Sequence, residues 1–407
     1  MRLRLSILSH AVALVFGAYG VGLFLLGPSM TAIAATYHTV PAVVGMSYTA
    51  FSIGFLPGVF LAGYLYERVS RKWTVAVGGG LIGASLLFFA AAPAIGSSRM
   101  LWLAFAGMAS LGFGGSLLEL AGNAIMADLN PSRAALAVNY AHALLAVGAI
   151  VGPWVAGQFM QAGISWQIPY HIAGACCLIA TIVLTLQREP PSESAKKMDI
   201  ADMRALLRKG IVWAAFAGIG LYVAAETGIV GWVPTFMEES LGASKAASSS
   251  VISVFWLAMT VGRGFCTWGA SLMRPQTWVM LLCALGAAAS AGIGACHGQL
   301  ACYLLVALSG LTFSGIFGMV LAHAAAELGR HLGAAYAVIV SGVAFGSLLF
   351  PPAMGWIAKA SSMRVALIVP AILLAVQVLI YLPYIPKARR PAHSRPCHCE
   401  RSEESLC

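Results

Sequence analysis

The feature that most constrains this chain is the recurrence of apolar stretches long enough to cross a lipid bilayer. Hydrophobic residues make up 60% of the 407 residues and charged residues only 9%, which is too apolar for one water-soluble core. A helix needs about 20 apolar residues to cross roughly 30 Å of hydrocarbon. The sequence therefore predicts an all-α integral membrane protein with twelve transmembrane spans, at approximately 7–35, 41–65, 73–94, 99–127, 133–160, 168–187, 211–237, 247–270, 277–296, 300–326, 332–358 and 364–384.

The distribution of basic residues predicts the orientation of these spans. Lys and Arg are concentrated in the loops on one side, and the loops on the other side hold only Arg99, Lys245, Lys359 and Arg364. Basic loops stay on the cytoplasmic side. We therefore expect a multi-pass protein of the plasma (inner) membrane with both termini cytoplasmic. The net charge of +10 follows from these loops and does not indicate nucleic-acid binding.

A polar segment at 188–210 divides the spans into two sets of six. The sequence predicts a first six-helix bundle at 1–187, a cytoplasmic linker at 188–210, a second bundle at 211–385 and a disordered cytoplasmic tail at 386–407. Internal repeats support a duplicated layout: span eleven repeats the spacing of span five, with Gly346, Pro351 and Gly355 matching Gly148, Pro153 and Gly157.

The loop after span two carries a recognisable motif. The sequence "GYLYERVSRKW" at 63–73 resembles the signature of the major facilitator superfamily, Gly-x-Leu-x-Asp-Arg-x-Gly-Arg-Lys, at the same place between the second and third helices. Glu67 replaces the usual Asp and keeps its charge, and Ser70 replaces a Gly. The resemblance implies a twelve-helix transporter with a conformational latch; an ordinary basic cytoplasmic loop is the alternative. The latch residues are Gly63, Glu67, Arg68, Arg71 and Lys72, with Arg263 and Arg274 in the second half.

Span five carries a second resemblance, to the Gly-x3-Gly-Pro-x2-Gly-Gly pattern in the fifth helix of facilitator-family antiporters. Gly148, Gly152, Pro153 and Gly157 match, and Ala156 replaces one glycine. The pattern predicts a helix kink at these residues. Generic small-residue packing explains it equally well, and similar pairs occur in symporters, so the direction of transport stays open.

Four polar residues lie near the middle of the membrane in spans four and five. Glu119 lies nine residues from Asp128, and His142 nine from Arg133, which places both roughly 13 Å from the cytoplasmic end. Asn123 and Asn139 form a second polar layer below them. Facing lipid would be costly for these groups, so we expect them to face one another or a central cavity.

The segment Glu119-Leu120-Ala121-Gly122-Asn123 resembles the Glu-x-Ala-x-Asn element of fucose-permease-like transporters. The resemblance implies proton coupling at Glu119. His142 is the expected partner because it lies at the same depth, and Asn123 and Asn139 of the second polar layer are candidate solute contacts. Those transporters carry a further acid in the first helix, and span one here has none. A neutral, helix-bridging Glu119 is the alternative.

Span seven and span eight contribute weaker candidates. Glu226 lies within "LYVAAETGIVGWVPTF", where Gly and Pro are able to loosen the helix. Trp232 and Trp256 have aromatic faces that suit a solute. Glu226 is a candidate contact for the solute or for a second proton, and an interhelical structural acid is its alternative. For Trp232 the alternative to solute binding is an interfacial anchor.

Enzymatic activity is not expected, because the spans hold no nucleophile–base pair and no metal cluster. ATP-driven transport is not expected either, because the sequence has no Gly-x4-Gly-Lys-Ser/Thr loop. The tail "PCHCERSEESLC" has poor zinc spacing. We expect no cofactor and no metal. The expected partners are a small-molecule solute, the proton and the lipid bilayer, and nucleic acid is not expected as a partner. We expect the protein to be a monomer. The first hypothesis is a proton-coupled transporter for a sugar-like solute, and the alternative is proton-coupled efflux of amphipathic compounds.

Overall fold

The structure, a computed structural model, describes residues 6–66, 70–95, 101–189, 206–269, 272–329 and 332–384. Within these ranges eleven helical spans are long and apolar enough to cross a membrane, and a bent helix pair at the start of the chain supplies a twelfth. The predicted all-α architecture of twelve spans is confirmed. The prediction of a disordered tail falls on residues outside the described ranges, as do Glu67 and Arg68 of the latch.

The helices of the first half form spans one to six. They are Ile7–Leu23 with Leu26–Thr36, Pro41–Val44 with Ser47–Tyr66, Arg71–Ile95, Leu101–Asp128, Ala134–Gln161 and Gln167–Thr185. Spans seven to twelve form the second half. They are Gly210–Leu241, Lys245–Gly269, Pro275–Ala295, Gln299–Phe313 with Ile316–Leu328, Leu332–Ala360, and Met363–Ala366 with Val369–Tyr381.

Span one is broken where the sequence places a proline one turn later. Its two helices meet at an angle of 47° around Phe24 and Leu25. Pro28 has no N–H to donate to the carbonyl of Phe24, which is four residues earlier, so the helical ladder is interrupted there. Span seven behaves differently, because the helix Gly210–Leu241 continues through Pro234.

The two halves repeat one packing scheme. In the first half, span one packs on spans five and six, and span four packs on spans two and three; in the second half, span seven packs on eleven and twelve, and span ten on eight and nine. The halves meet through spans one and seven, two and eleven, and five and eight. This arrangement is a pair of pseudo-symmetric six-helix bundles.

The halves hold together at one end. We call the end that carries residue 6 the inner end and the opposite end the outer end. Four hydrogen bonds that join two described residues across the halves lie in the outer half of the bundle. They run from Thr31 Oγ1 to Glu238 Oε2 (2.8 Å), from Thr49 Oγ1 to the Leu348 carbonyl (2.9 Å), from Ser253 Oγ to the Ile150 carbonyl (2.6 Å), and from Lys245 Nζ to Thr31 Oγ1.

Toward the inner end, the facing spans five and eight become exposed. Leu136 and Asn139 of span five are exposed, as are Thr260, Arg263 and Phe265 of span eight. Hydrogen bonds therefore join the halves at the outer end, whereas these inner residues of spans five and eight are exposed.

Candidate functional site

Glu119, Asn123 and His142 form one hydrogen-bonded cluster, as the polar layer in the sequence predicts. The His142 Nε2 lies 3.0 Å from Asn123 Oδ1, and Asn123 Nδ2 donates to Glu119 Oε2 at 3.4 Å. His142 Nε2 and Glu119 Oε2 are 3.9 Å apart. Asn123 thus bridges the acid and the imidazole, which approach each other without a direct short hydrogen bond.

Small residues of span four create the space around this cluster. A Cβ atom at Gly115 would lie 2.5 Å from the Tyr19 hydroxyl, and one at Gly122 would lie 2.6 Å from the Phe16 ring. Two aromatic side chains of span one therefore pack against span four, one turn before and one turn after Glu119. Phe16 also packs against the His142 ring, with centroids 5.3 Å apart.

The cluster combines burial with access. The side chains of Glu119 and His142 retain 30% and 32% exposure, while neighbouring Leu118 and Ala121 are buried. An ionised carboxylate at this depth is costly unless water or a counter-charge reaches it. Partial exposure together with an imidazole partner satisfies both conditions, so the cluster is chemically suited to exchange a proton.

Two further residues approach the cluster at its periphery. Asn139 is exposed one turn from His142 on the inner side, and it lies outside the hydrogen-bonded trio. Tyr336 of span eleven interacts electrostatically with Glu119. This tyrosine belongs to the second half, and sequence reasoning missed it because nothing in the local sequence shows which span faces Glu119.

Glu226 lies in a separate cluster in the second half. The Tyr222 hydroxyl, one helical turn away, donates a hydrogen bond to Glu226 Oε2. Tyr222 packs edge-on against Phe313, 6.0 Å between centroids, and Phe317 of span ten also contacts it. Arg263 of span eight, which the sequence predicts as a latch residue, interacts electrostatically with both Glu226 and Tyr222.

The two predicted solute-facing tryptophans are both buried. The Trp256 ring lies 4.3 Å from Phe24 across the two halves, at the break in span one. Its Nε1 has no hydrogen-bond partner among the described residues, so this donor is available to a ligand that reaches it. Trp232 is 0% exposed, and its Nε1 donates to the Pro351 carbonyl at 2.7 Å.

The inner end of the first half carries the described part of the predicted latch. Arg71 forms an ion pair with Asp128 at the end of span four, and it is buried while Asp128 is 41% exposed. Gly63 lies within the helix Ser47–Tyr66. Arg274, the corresponding residue of the second half, is exposed at the start of span nine.

Glu189 adds a connection that the sequence did not predict. Ser70 Oγ donates to Glu189, and the Lys72 backbone N–H donates to its Oε1 at 3.3 Å. Lys72 Nζ donates to the carbonyls of Thr185 and Gln187 at the end of span six. These bonds cap the start of span three and the end of span six together.

The glycines of span five pack against two different helices. A Cβ atom at Gly148 would lie 2.2 Å from the Gly17 carbonyl, and one at Gly152 would lie 3.0 Å from the Val21 carbonyl, both in span one. At Gly157 the nearest atom is the Ser249 Cβ of span eight, at 2.5 Å. The predicted kink residue Pro153 lies inside the helix Ala134–Gln161.

Comparison with known proteins agrees with this architecture. Multidrug efflux protein YfmO of Bacillus subtilis is 28% identical over 209 residues, covering 50% of this chain and 50% of its own. The chain thus aligns with about half the length of that relative. A crystal structure of a bacterial homologue of the human lysosomal transporter Spinster, inward-facing and occupied, superposes with a TM-score of 0.76 at 13% identity, covering 92% of this chain and 95% of that chain.

The E. coli fucose:proton symporter FucP superposes with a TM-score of 0.64 at 19% identity, covering 93% of this chain and 98% of that chain. At such identities the likeness concerns the fold. The model of the Major Facilitator Superfamily matches residues 12–331, and the members of this family are transporters rather than enzymes. The chain belongs to the Major Facilitator Superfamily.

Proposed function

We propose that the protein is a secondary active transporter that moves a small polar organic solute by alternating access, coupled to protons at Glu119. The observation that carries this proposal is the Glu119–Asn123–His142 cluster, which is partly exposed and near mid-membrane. Tyr336 of the other half interacts electrostatically with Glu119. A group in such a position senses the relative arrangement of the halves. Its protonation therefore biases which access state is populated.

In the proposed coupling step, the charge of Glu119 changes while the cluster with Asn123 and His142 stays assembled. When Glu119 is ionised, Asn123 donates to it, and the His142 Nε2 lies 3.9 Å from its Oε2. When Glu119 takes up a proton, the carboxyl group becomes neutral, so the cluster can enter a drier environment. Opening toward the other side of the membrane then releases the proton.

The Glu226 cluster supplies the solute contacts of the second half in this proposal. Glu226 accepts from Tyr222, and Arg263 and the Trp256 Nε1 add polar donors. Hydroxyl-rich solutes suit a mixture of carboxylate, amide, phenol and aromatic groups. A sugar-like compound remains the first solute class to test.

Proton-coupled efflux of amphipathic compounds is the second candidate. The Gly-Pro pattern of span five and the alignment with a multidrug efflux protein favour it. The aromatic wall of Tyr222, Phe313 and Phe317 suits an apolar ring.

The latch and the orientation complete the proposal. The Arg71–Asp128 pair ties span three to span four at the inner end, and we propose that it holds the first half in one access state. We also propose that both termini are cytoplasmic in the inner membrane, that the protein works as a monomer, and that 188–210 links the halves.

The test is a panel of solutes assayed for proton movement in proteoliposomes. A sugar-like solute that carries protons in the same direction supports symport. A hydrophobic cation that moves protons in the opposite direction supports efflux. Solute flux without proton movement, for every transported compound, would contradict the coupling.

A further inference from the structure

Trp232 occupies a slot whose walls come from both halves of the protein. It belongs to span seven and is 0% exposed. A Cβ atom at Gly45, between the two helices of span two, would lie 2.7 Å from its Cζ2. A Cβ atom at Gly355 of span eleven would lie 2.6 Å from its Cη2 and 3.0 Å from the Cα of Ala42. No other residue type fits at either glycine without displacing the ring.

The slot has one fixed wall and one separable wall. Gly355 and the Pro351 carbonyl, which accepts from the indole N–H, belong to the same half as Trp232. Gly45 and Ala42 belong to the first half. When the halves part at the outer end, the ring keeps its hydrogen bond and loses only the Gly45 side of the slot.

The residues next to Trp232 in sequence also pack closely against the first half. A Cβ atom at Gly27 would lie 2.3 Å from the Val230 carbonyl, and one at Gly231 would lie 2.6 Å from the Tyr48 hydroxyl. The Val230 carbonyl is the one that Pro234 leaves without a helical donor. Span seven therefore turns the Val230 carbonyl and the Trp232 indole ring toward the first half within one turn of helix.

Span eleven repeats this use of proline on the other side of the slot. The Leu348 carbonyl lies four residues before Pro352, which has no N–H to offer it. It accepts instead from Thr49 Oγ1 of the first half at 2.9 Å. Backbone groups freed by prolines of the second half thus meet span one and span two around the Trp232 slot.

We propose that Trp232 is the outer gate of the transporter: it seals the outer end by seating in the Gly45 slot and leaves that slot when the outer end opens. The inference rests on the proposed alternating access but needs neither the solute nor the proton. It assigns the ring a closing role at the outer end and leaves solute contact to the deeper clusters.

The test places a methyl group in the separable wall of the slot. Nitroxide pairs at Ala162→Cys with His297→Cys report the outer end, and pairs at Leu136→Cys with Met273→Cys report the inner end, in a cysteine-free background measured by double electron–electron resonance. All four sites are exposed. Gly45→Ala should favour the conformation with a longer outer distance and a shorter inner distance. The ratio of this population to the wild-type conformation should rise at least about tenfold.

The matched control is Gly80→Ala, also in the first half, where an added Cβ atom meets no atom within 4 Å; it should leave both distributions unchanged. Trp232→Leu provides a second variant that adds no atoms to the slot, and it should also populate the longer outer distance. Wild-type distributions in both Gly45→Ala and Trp232→Leu would overturn the gate. If Gly45→Ala does not fold, Trp232→Leu alone decides. These distances are measured without solute or a pH gradient. A result that contradicts the gate therefore does not contradict proton coupling, and loss of proton coupling does not contradict the gate.

Discussion

Two partly buried carboxylates, one in each half of the molecule, have different basic partners. Glu119 in the first half faces His142 across 3.9 Å, with Asn123 between them. Glu226 in the second half lies in the field of Arg263 and accepts from Tyr222. Imidazole changes its charge near neutral pH, whereas guanidinium stays protonated.

Because their basic neighbours differ, we expect the two acids to have different roles in transport. A carboxylate beside a group that can lose its charge is able to cycle its own proton, because neither protonation state is held permanently. The guanidinium of Arg263, which interacts electrostatically with Glu226, does not change its charge near neutral pH. We infer that Glu119 does the proton transfer and that Glu226 provides a hydrogen-bonding group for solute binding.

The largest expected effect follows from removing the charge of Glu119. In Glu119→Gln, solute exchange down its gradient should survive, while uphill accumulation driven by a pH gradient should fall to background, because the amide mimics the protonated acid permanently. Counterflow and pH-driven uptake in the same proteoliposomes measure the two activities. Wild-type uphill transport in this variant would leave Glu119 as a helix-bridging residue and make Glu226 the next candidate.

Removing the charge of Glu226 should have the opposite signature. Glu226→Gln should weaken solute binding by about 10- to 100-fold, because a carboxylate is a stronger hydrogen-bond acceptor than an amide. The proton-to-solute ratio should remain that of the wild type. The measurement is the solute concentration for half-maximal transport together with the proton flux at saturation; loss of proton flux with normal affinity would reverse the two assignments.

Removing the imidazole of His142 should change the pH dependence of transport. His142→Ala should move the pH optimum of transport to higher pH, because a carboxylate without a neighbouring positive charge takes up a proton more readily. The rate at the new optimum should stay within about threefold of the wild type, since Asn123 still donates to Glu119. Asn139→Ala, one turn away and outside the cluster, is the control and should keep the original pH profile.

The smallest effect concerns the cap rather than either acid. Ser70→Ala removes the donor to Glu189 and the acceptor of the Trp73 N–H at 3.3 Å, which should cost about 1 kcal/mol of stability. Transport coupling should be unchanged. Thermal unfolding in detergent measures the loss, and an altered proton-to-solute ratio in this variant would show that the inner end feeds into the coupling.

Hydropathy and helical spacing were sufficient to predict the twelve spans and the Glu119–Asn123–His142 cluster. Both follow from local rules: span length from the thickness of the bilayer, and shared depth from the rise per residue. The Tyr222–Glu226 bond was also within reach, because residues four apart share a helix face. Counting along span seven would have found it.

Other features depend on how the halves dock, which local sequence does not contain. Tyr336 approaches Glu119 from span eleven, and Trp232 meets Gly45 across the interface. The break in span one was missed because Pro28 lies inside an apolar run that otherwise reads as continuous helix. Glu189 was missed because its partner Ser70 is distant in sequence.

The most direct test of the central claim is proton movement measured beside solute movement in Glu119→Gln and Glu226→Gln proteoliposomes, with a pH-sensitive dye trapped inside and the solute at saturation. We expect solute flux without proton flux in Glu119→Gln, and both fluxes in the wild-type ratio in Glu226→Gln. A wild-type proton-to-solute ratio in Glu119→Gln would contradict proton coupling at Glu119.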